Sequence, residues 1–81
     1  SIHEVRDILL DHMRNLYAFY GEHTGVLMAR KHLSWYSKGQ SGGALFRQTI
    51  NAAVGLEQQM TLTHEFFDRL VAGADQAELA A

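Results

Sequence analysis

The sequence of 81 residues contains neither cysteine nor proline. Without cysteine, the chain can form no disulfide framework, no thiolate metal site and no cysteine nucleophile. That composition is typical of a reducing compartment, and we expect a cytoplasmic protein. Without proline, the breaks between secondary-structure elements must come from other residues, and the seven glycines are the natural candidates.

Long apolar runs are missing as well. None approaches the roughly 20 residues that a membrane-spanning helix requires, and the N-terminus lacks the basic and apolar regions of a signal peptide. We therefore expect no membrane association. Hydrophobic residues make up 47% of the sequence, which is normal for a globular protein. A chain this short forms one domain, and because it begins without Met we expect it to be a piece of a longer protein.

Acidic residues are absent from the middle of the chain. Residues 23–56 carry four cations and no acid, whereas the segments on either side are net acidic. These cations are Arg30, Lys31, Lys38 and Arg47. A basic centre between acidic ends points to an anionic partner, and it is equally compatible with ordinary variation of a solvated surface.

Four stretches between the glycines show apolar residues at steps of three and four, the period of an amphipathic helix. The predicted helices cover residues 2–20, 24–37, 43–54 and 56–72. Ser1 is the predicted N-cap of the first helix, and residues 73–81 are predicted to be a frayed tail. Short links between four such helices predict an all-α domain over residues 1–72, an antiparallel-type four-helix bundle.

The apolar stripes also predict which side chains face the core. In the third helix the predicted inward residues are Leu45, Phe46, Thr49, Ile50 and Ala53. His12, His32 and Tyr36 lie on the stripes of the first two helices, and we expect them in the core, with the imidazoles hydrogen-bonded. No two of the five histidines are three or four residues apart, so we expect no metal site.

No catalytic motif is visible. The sequence has no nucleophile elbow and no phosphate-binding glycine pattern that follows a strand. Residues 39–43 contain three glycines that could bind an anion at a helix N-terminus, although a plain flexible loop is the favoured explanation. We therefore predict no catalytic residue and no cofactor-binding residue in this chain.

The richest stretch, residues 29–38, combines cations with aromatic side chains, as a nucleic-acid site does for phosphate neutralisation and base stacking. The candidate RNA-binding residues are Arg30, Lys31, Trp35, Lys38 and Arg47. The structural alternative is a solvated helix face with Trp35 in the core.

Several of these residues carry a family resemblance that extends over about residues 3–71. The matching runs are Tyr20-Gly21, Ala29-Arg30-Lys31-His32-Leu33-Ser34-Trp35-Tyr36, Phe46-Arg47, Ile50-Asn51 and Phe66-Phe67. They resemble the C-terminal helical domain of bacterial tRNA-dihydrouridine synthases, most closely the B subgroup. The resemblance implies an enzyme whose N-terminal TIM barrel binds FMN, takes hydride from NADPH and reduces uridines in tRNA.

The barrel, its FMN and NADPH sites and its catalytic cysteine have no counterpart in this sequence. What the resemblance implies for the chain is tRNA binding at its basic positions, some of which could instead contact the barrel. Two alternatives stay open: a helical protein-interaction module that docks on an acidic partner surface, and a helix-turn-helix that binds DNA. The break over residues 38–42 is longer than the usual turn of three to four residues in the latter.

Overall fold

The computed structural model describes residues 1–80, which form three helices and no strand. The helices are α1 (Ile2–Tyr36), α2 (Gly43–Asn51) and α3 (Gly55–Ala80). The predicted all-α class is confirmed, whereas the prediction of a four-helix bundle was wrong, because the first two predicted helices are joined into one. The Ser1 hydroxyl accepts a hydrogen bond from the backbone N–H of Glu4 (3.3 Å), which confirms Ser1 as the N-cap.

α1 is sharply kinked at Gly21. Of its residues, Gly21 alone leaves the helical conformation, with φ 80° and ψ 176°, a region that only glycine adopts readily. Because no loop separates them, the arms over residues 2–20 and 22–36 follow each other directly and fold back on one another. A Cβ on Gly25 would lie only 3.0 Å from Tyr17 Cα, so the arms approach closely at a position that needs glycine.

The core lies between the arms of α1 and the inner faces of α2 and α3. Six of its apolar side chains are wholly shielded from solvent: Leu9, Met13, Ala29, Leu33, Ile50 and Phe67. Phe46 stacks on Phe66 with ring centroids 4.2 Å apart, and both meet Phe67 edge to face. Packing within this aromatic cluster holds the short α2 against α3.

α2 buries one narrow face, and this corrects two core predictions. Phe46, Ile50 and Ala53 are buried as expected, but Leu45 is 69% exposed and Thr49 is also exposed. A helix of nine residues that contacts the core on one side cannot bury a wider stripe. The Thr49 hydroxyl donates instead to the backbone oxygen of Leu45 (2.9 Å).

α3 extends beyond its predicted end near residue 72. Residues 73–80 are helical rather than frayed, and the last residue of the predicted tail, at position 81, lies outside the described residues. Side-chain pairs connect the C-terminal half of α3 to the start of α1: His3 Nε2 lies 3.0 Å from Asp75 Oδ1, and Arg6 donates to Asp68 (3.3 Å). Both pairs are partly exposed, so each stabilises the fold only slightly.

Candidate functional site

The turn after α1 places Lys38 next to the end of that helix. The backbone N–H of Ser37 donates to Leu33 O (3.1 Å) and that of Lys38 to Trp35 O (3.3 Å), so the chain winds on for a further turn. Gly39 and Gly42 then adopt positive φ values of 78° and 75°, which let the chain reverse within a few residues. The basic segment therefore runs from the second arm of α1 through this turn into α2.

Close packing brings the start of α2 against the end of α1. A Cβ on Gly43 would lie 2.3 Å from Ser37 O and would clash with it, so this position requires glycine. The Arg47 guanidinium reaches back across this contact, and its Nη1 donates to the buried hydroxyl of Ser37 (3.2 Å). Arg47 thus lies beside Ser37, the residue that precedes Lys38.

The two arginines are engaged within the protein, although the sequence placed both on outward faces. Arg30 Nη2 donates to the backbone oxygen of Ala53 (3.3 Å), and Arg30 Nε is buried with no hydrogen-bond partner among residues 1–80. Arg30 and Glu22 both line a recess of about 430 Å³. Arg30 and Arg47 are both half-buried; Arg30 connects α1 to the link that follows α2, and Arg47 connects α2 to the end of α1.

Lys31, Trp35 and Lys38, by contrast, face solvent. Trp35 is 71% exposed, which contradicts the alternative that placed its indole in the core. Its neighbour Tyr36 is half-buried and packs against the core, as predicted. The two rings meet at 64° with centroids 6.3 Å apart.

None of the four central cations forms an ion pair within the part of the chain that the structure describes. The ion pairs there join His3 to Asp75, Arg6 to both Asp7 and Asp68, and Arg14 to Asp11. Acidic and basic groups are thus paired near the start of α1, whereas the basic segment is uncompensated in the sense that none of its four cations forms an ion pair with a carboxylate of residues 1–80. Such a surface attracts phosphates.

His12 and His32 meet where the two arms of α1 pack. Their Nε2 atoms are 3.4 Å apart, and their rings meet at 77° with centroids 4.4 Å apart. Burial lowers the pKa of His32, and the nearby charges of His12 and Lys31 lower it further. Both imidazoles are half-buried, so they lie at the edge of the core rather than inside it.

Residues 1–80 contain neither a cluster of metal ligands nor a membrane-spanning helix. No group of three or more histidine, cysteine or acidic side chains is placed to hold a metal ion. No helix in the same residues has the length and apolar character needed to cross a membrane.

Comparison with known proteins gives a family match. Residues 1–71 match the model of the dihydrouridine synthase family. The chain is 49% identical over 73 residues to the tRNA-dihydrouridine synthase B of Xanthomonas campestris pv. campestris, a match that covers 90% of the chain and 22% of that protein. The enzyme of the same name from Vibrio cholerae is 42% identical over 69 residues, covering 85% of the chain and 21% of that protein.

A third relative, the tRNA-dihydrouridine synthase B of Serratia marcescens, is 35% identical over 78 residues, or 96% of the chain and 23% of that protein. The chain thus spans less than a quarter of the length of these curated relatives. No solved structure matches it.

Proposed function

Because the chain belongs to the dihydrouridine synthase family, we propose that it is a tRNA-binding helical domain of a tRNA-dihydrouridine synthase. The relatives above carry the name of the B subgroup, so the resemblance predicted from the sequence is confirmed. Since the chain spans less than a quarter of them, the remaining residues of a full-length protein would supply the catalytic barrel. On this proposal the parent enzyme reduces uridine in tRNA with FMN and NADPH, in the cytoplasm.

The residues of this chain do not fit a flavin site. Residues 1–80 are helical apart from short turns, and they contain no strand followed by a phosphate-binding glycine turn. The sequence also has no cysteine to supply a proton. We therefore assign the reduction to the barrel and give this chain the task of holding the tRNA.

The observation that carries the proposal is the uncompensated basic segment. Lys31 and Lys38 are exposed, so their ammonium groups can reach phosphates directly. Arg30 and Arg47 each use one nitrogen within the protein, which leaves further donors on each guanidinium and a positive field from both. Contacts of this kind position an RNA without reading its sequence. With Trp35, these four cations form the proposed RNA-binding surface.

A salt titration tests this proposal. Four phosphate contacts predict that log affinity falls with log salt with a slope of about −3, at roughly 0.7 to 0.9 per contact. We expect weak binding of labelled tRNA in fluorescence anisotropy at low ionic strength. Lys31→Ala should make the slope shallower by about 0.7 to 0.9. The matched control is Arg14→Ala, which removes an exposed cation already paired with Asp11 and should leave the slope unchanged.

The proposal fails if Lys31→Ala and Arg47→Ala both bind tRNA as the unmodified chain does. It also fails if the folded chain shows no affinity for tRNA at low salt. The helical content of each variant, measured by circular dichroism, separates loss of binding from loss of folding.

A second candidate is a docking module whose basic face rests on an acidic protein surface, including that of the catalytic barrel. Exposed apolar side chains favour it: Phe19 and Val54 are each 81% exposed. Gel filtration with the separately produced barrel distinguishes the candidates, because only docking predicts a stable stoichiometric complex. The two functions can coexist on different faces of the domain.

A further inference from the structure

Three exposed residues of the basic segment form a ridge along the axis of α1. Lys31 precedes Trp35 by four residues, so the two side chains are neighbours on one helix face. The hydrogen bond from Lys38 N to Trp35 O (3.3 Å) continues the winding and sets Lys38 about one turn beyond the indole. A lysine therefore lies on either side of Trp35 along the helix, with roughly 10 Å of helix axis between the two.

The indole of Trp35 has no role in the core that would explain it. The residue is 71% exposed, and a shallow recess beside the ring is lined by Trp35 and Tyr36. Tyr36 packs against the core and meets the indole edge to face, so it restricts the indole without covering it. A flat apolar ring is thus held in place with a face open to solvent.

From this arrangement, the geometry points to a site for one unpaired nucleotide, with its base stacked on Trp35 and its two flanking phosphates bound by Lys31 and Lys38. The inference rests on the proposed RNA-binding function and names the kind of RNA that this surface takes. Stacking on a protein ring requires a base that has left its own stack, as bases in loops and single strands do. A base inside a duplex presents only its edges, so a duplex would engage the lysines and not the indole.

The same arrangement separates the roles of the four cations. Arg30 holds α1 against the link after α2 through Ala53 O, and Arg47 holds α2 against the end of α1 through the Ser37 hydroxyl. Arg47 in particular fixes the turn that presents Lys38. At this one nucleotide the stacking ring and the two lysines make the contacts, whereas the arginines position them and offer their remaining donors to phosphates further along the RNA.

The sole tryptophan of the chain provides the probe. The experiment titrates the 81-residue chain at low ionic strength with a short single-stranded RNA and with the same strand annealed to its complement. We expect the single strand to quench the fluorescence of Trp35 and the duplex to bind without comparable quenching. A fluorescent label on the RNA reports binding of the variants that lack tryptophan.

The variants separate stacking from charge. Trp35→Ala should weaken binding of the single strand roughly 5- to 150-fold, the range that a stacked base contributes, with an unchanged salt slope. Trp35→Phe keeps a flat ring and should retain most of the affinity. Phe19→Ala is the matched control, since it removes an aromatic side chain of similar exposure beside the kink of α1 and should bind as the unmodified chain does.

The inference is overturned if Trp35→Ala binds the single strand as tightly as the unmodified chain, or if the duplex quenches Trp35 equally. In that case an RNA affinity that still depends on Lys31 would leave the proposed function standing. If the folded chain binds neither RNA, the proposed function fails as well, and Trp35 belongs to a protein contact.

Discussion

The phenolic hydroxyl of Tyr17 donates a hydrogen bond to the side-chain oxygen of Gln59, 42 residues further along the chain. The Gln59 side-chain nitrogen donates in turn to the backbone oxygen of Val26 (3.0 Å). Gln59 is wholly shielded from solvent, so one amide connects both arms of α1 to α3 inside the core. Each polar group of this network has a partner, which is the condition under which buried polar groups stabilise a fold.

Replacing Gln59 by leucine should destabilise the domain. The change keeps the approximate volume but leaves the Tyr17 hydroxyl and Val26 O buried without their partner, at a cost of about 1–3 kcal/mol in the free energy of unfolding. Urea denaturation followed by circular dichroism measures it. Gln48→Leu, at an exposed position of α2, is the control and should change stability by no more than about 0.5 kcal/mol. Equal effects of both substitutions would contradict the role of the network.

Tyr17 predicts a loss of stability in alkali. Burial raises the pKa of Tyr17 from 10 to about 12, so the folded state favours the neutral phenol more than the unfolded state does. The resulting stabilisation is complete below pH 10 and disappears as the pH rises towards 12, a change of about 2–3 kcal/mol. Denaturation at pH 9 and pH 11.5 should show a larger fall for the unmodified chain than for Tyr17→Phe. Parallel falls in the two proteins would rule out this assignment.

The His12–His32 contact predicts that the packing between the two arms of α1 is less stable in acid. Because the pKa of His32 is lowered, the fold favours its neutral form. That contribution is present above the unfolded pKa near 6.5 and is lost as the pH falls below it. His32→Ala should destabilise the domain by about 1–3 kcal/mol at pH 7.5 and reduce the acid sensitivity. An unchanged denaturation midpoint, or the same effect from exposed His23→Ala, would disprove the prediction.

Glu22 caps α3 from the neighbouring helix. Its Oε2 accepts a hydrogen bond from the backbone N–H of Leu56 (3.2 Å), one of the first N–H groups of α3. Glu22→Ala should therefore cost about 0.5–2 kcal/mol, whereas Glu22→Gln, which keeps the acceptor and loses the charge, should cost less. Thermal unfolding checks the order. Glu65→Ala, at an exposed mid-helix position, should have little effect.

The chain alone should neither retain flavin nor oxidise NADPH. Its described residues are helices without a phosphate-binding turn, and the sequence lacks cysteine. We expect no NADPH oxidation above the blank when the chain is mixed with FMN, NADPH and unmodified tRNA, and no flavin absorbance after gel filtration. A full-length tRNA-dihydrouridine synthase B treated identically is the positive control. Turnover or retained flavin would show that this chain holds part of the catalytic site.

Local patterns predicted the helices of this protein and its family. Apolar residues at steps of three and four share one face only in a helix, which then packs on that face, and Ser1 caps the first helix because its hydroxyl reaches an N–H three residues away. The run from Ala29 to Tyr36 pointed to the family for the same reason, since it is a property of the chain alone. The exposure of Lys31 also follows from helical period.

Features that depend on residues distant in sequence do not follow from local patterns. The glycines predict a loop between residues 20 and 24, whereas the structure has only a kink at Gly21. Gln59 was missed as a core residue because its burial depends on Tyr17 and Val26, which no periodicity reveals. Arg30 was placed on the surface by its phase, yet it is held by Ala53 O, 23 residues away. Helical period indicates which face of a helix a side chain occupies. Which residues pack against that face depends on the tertiary structure.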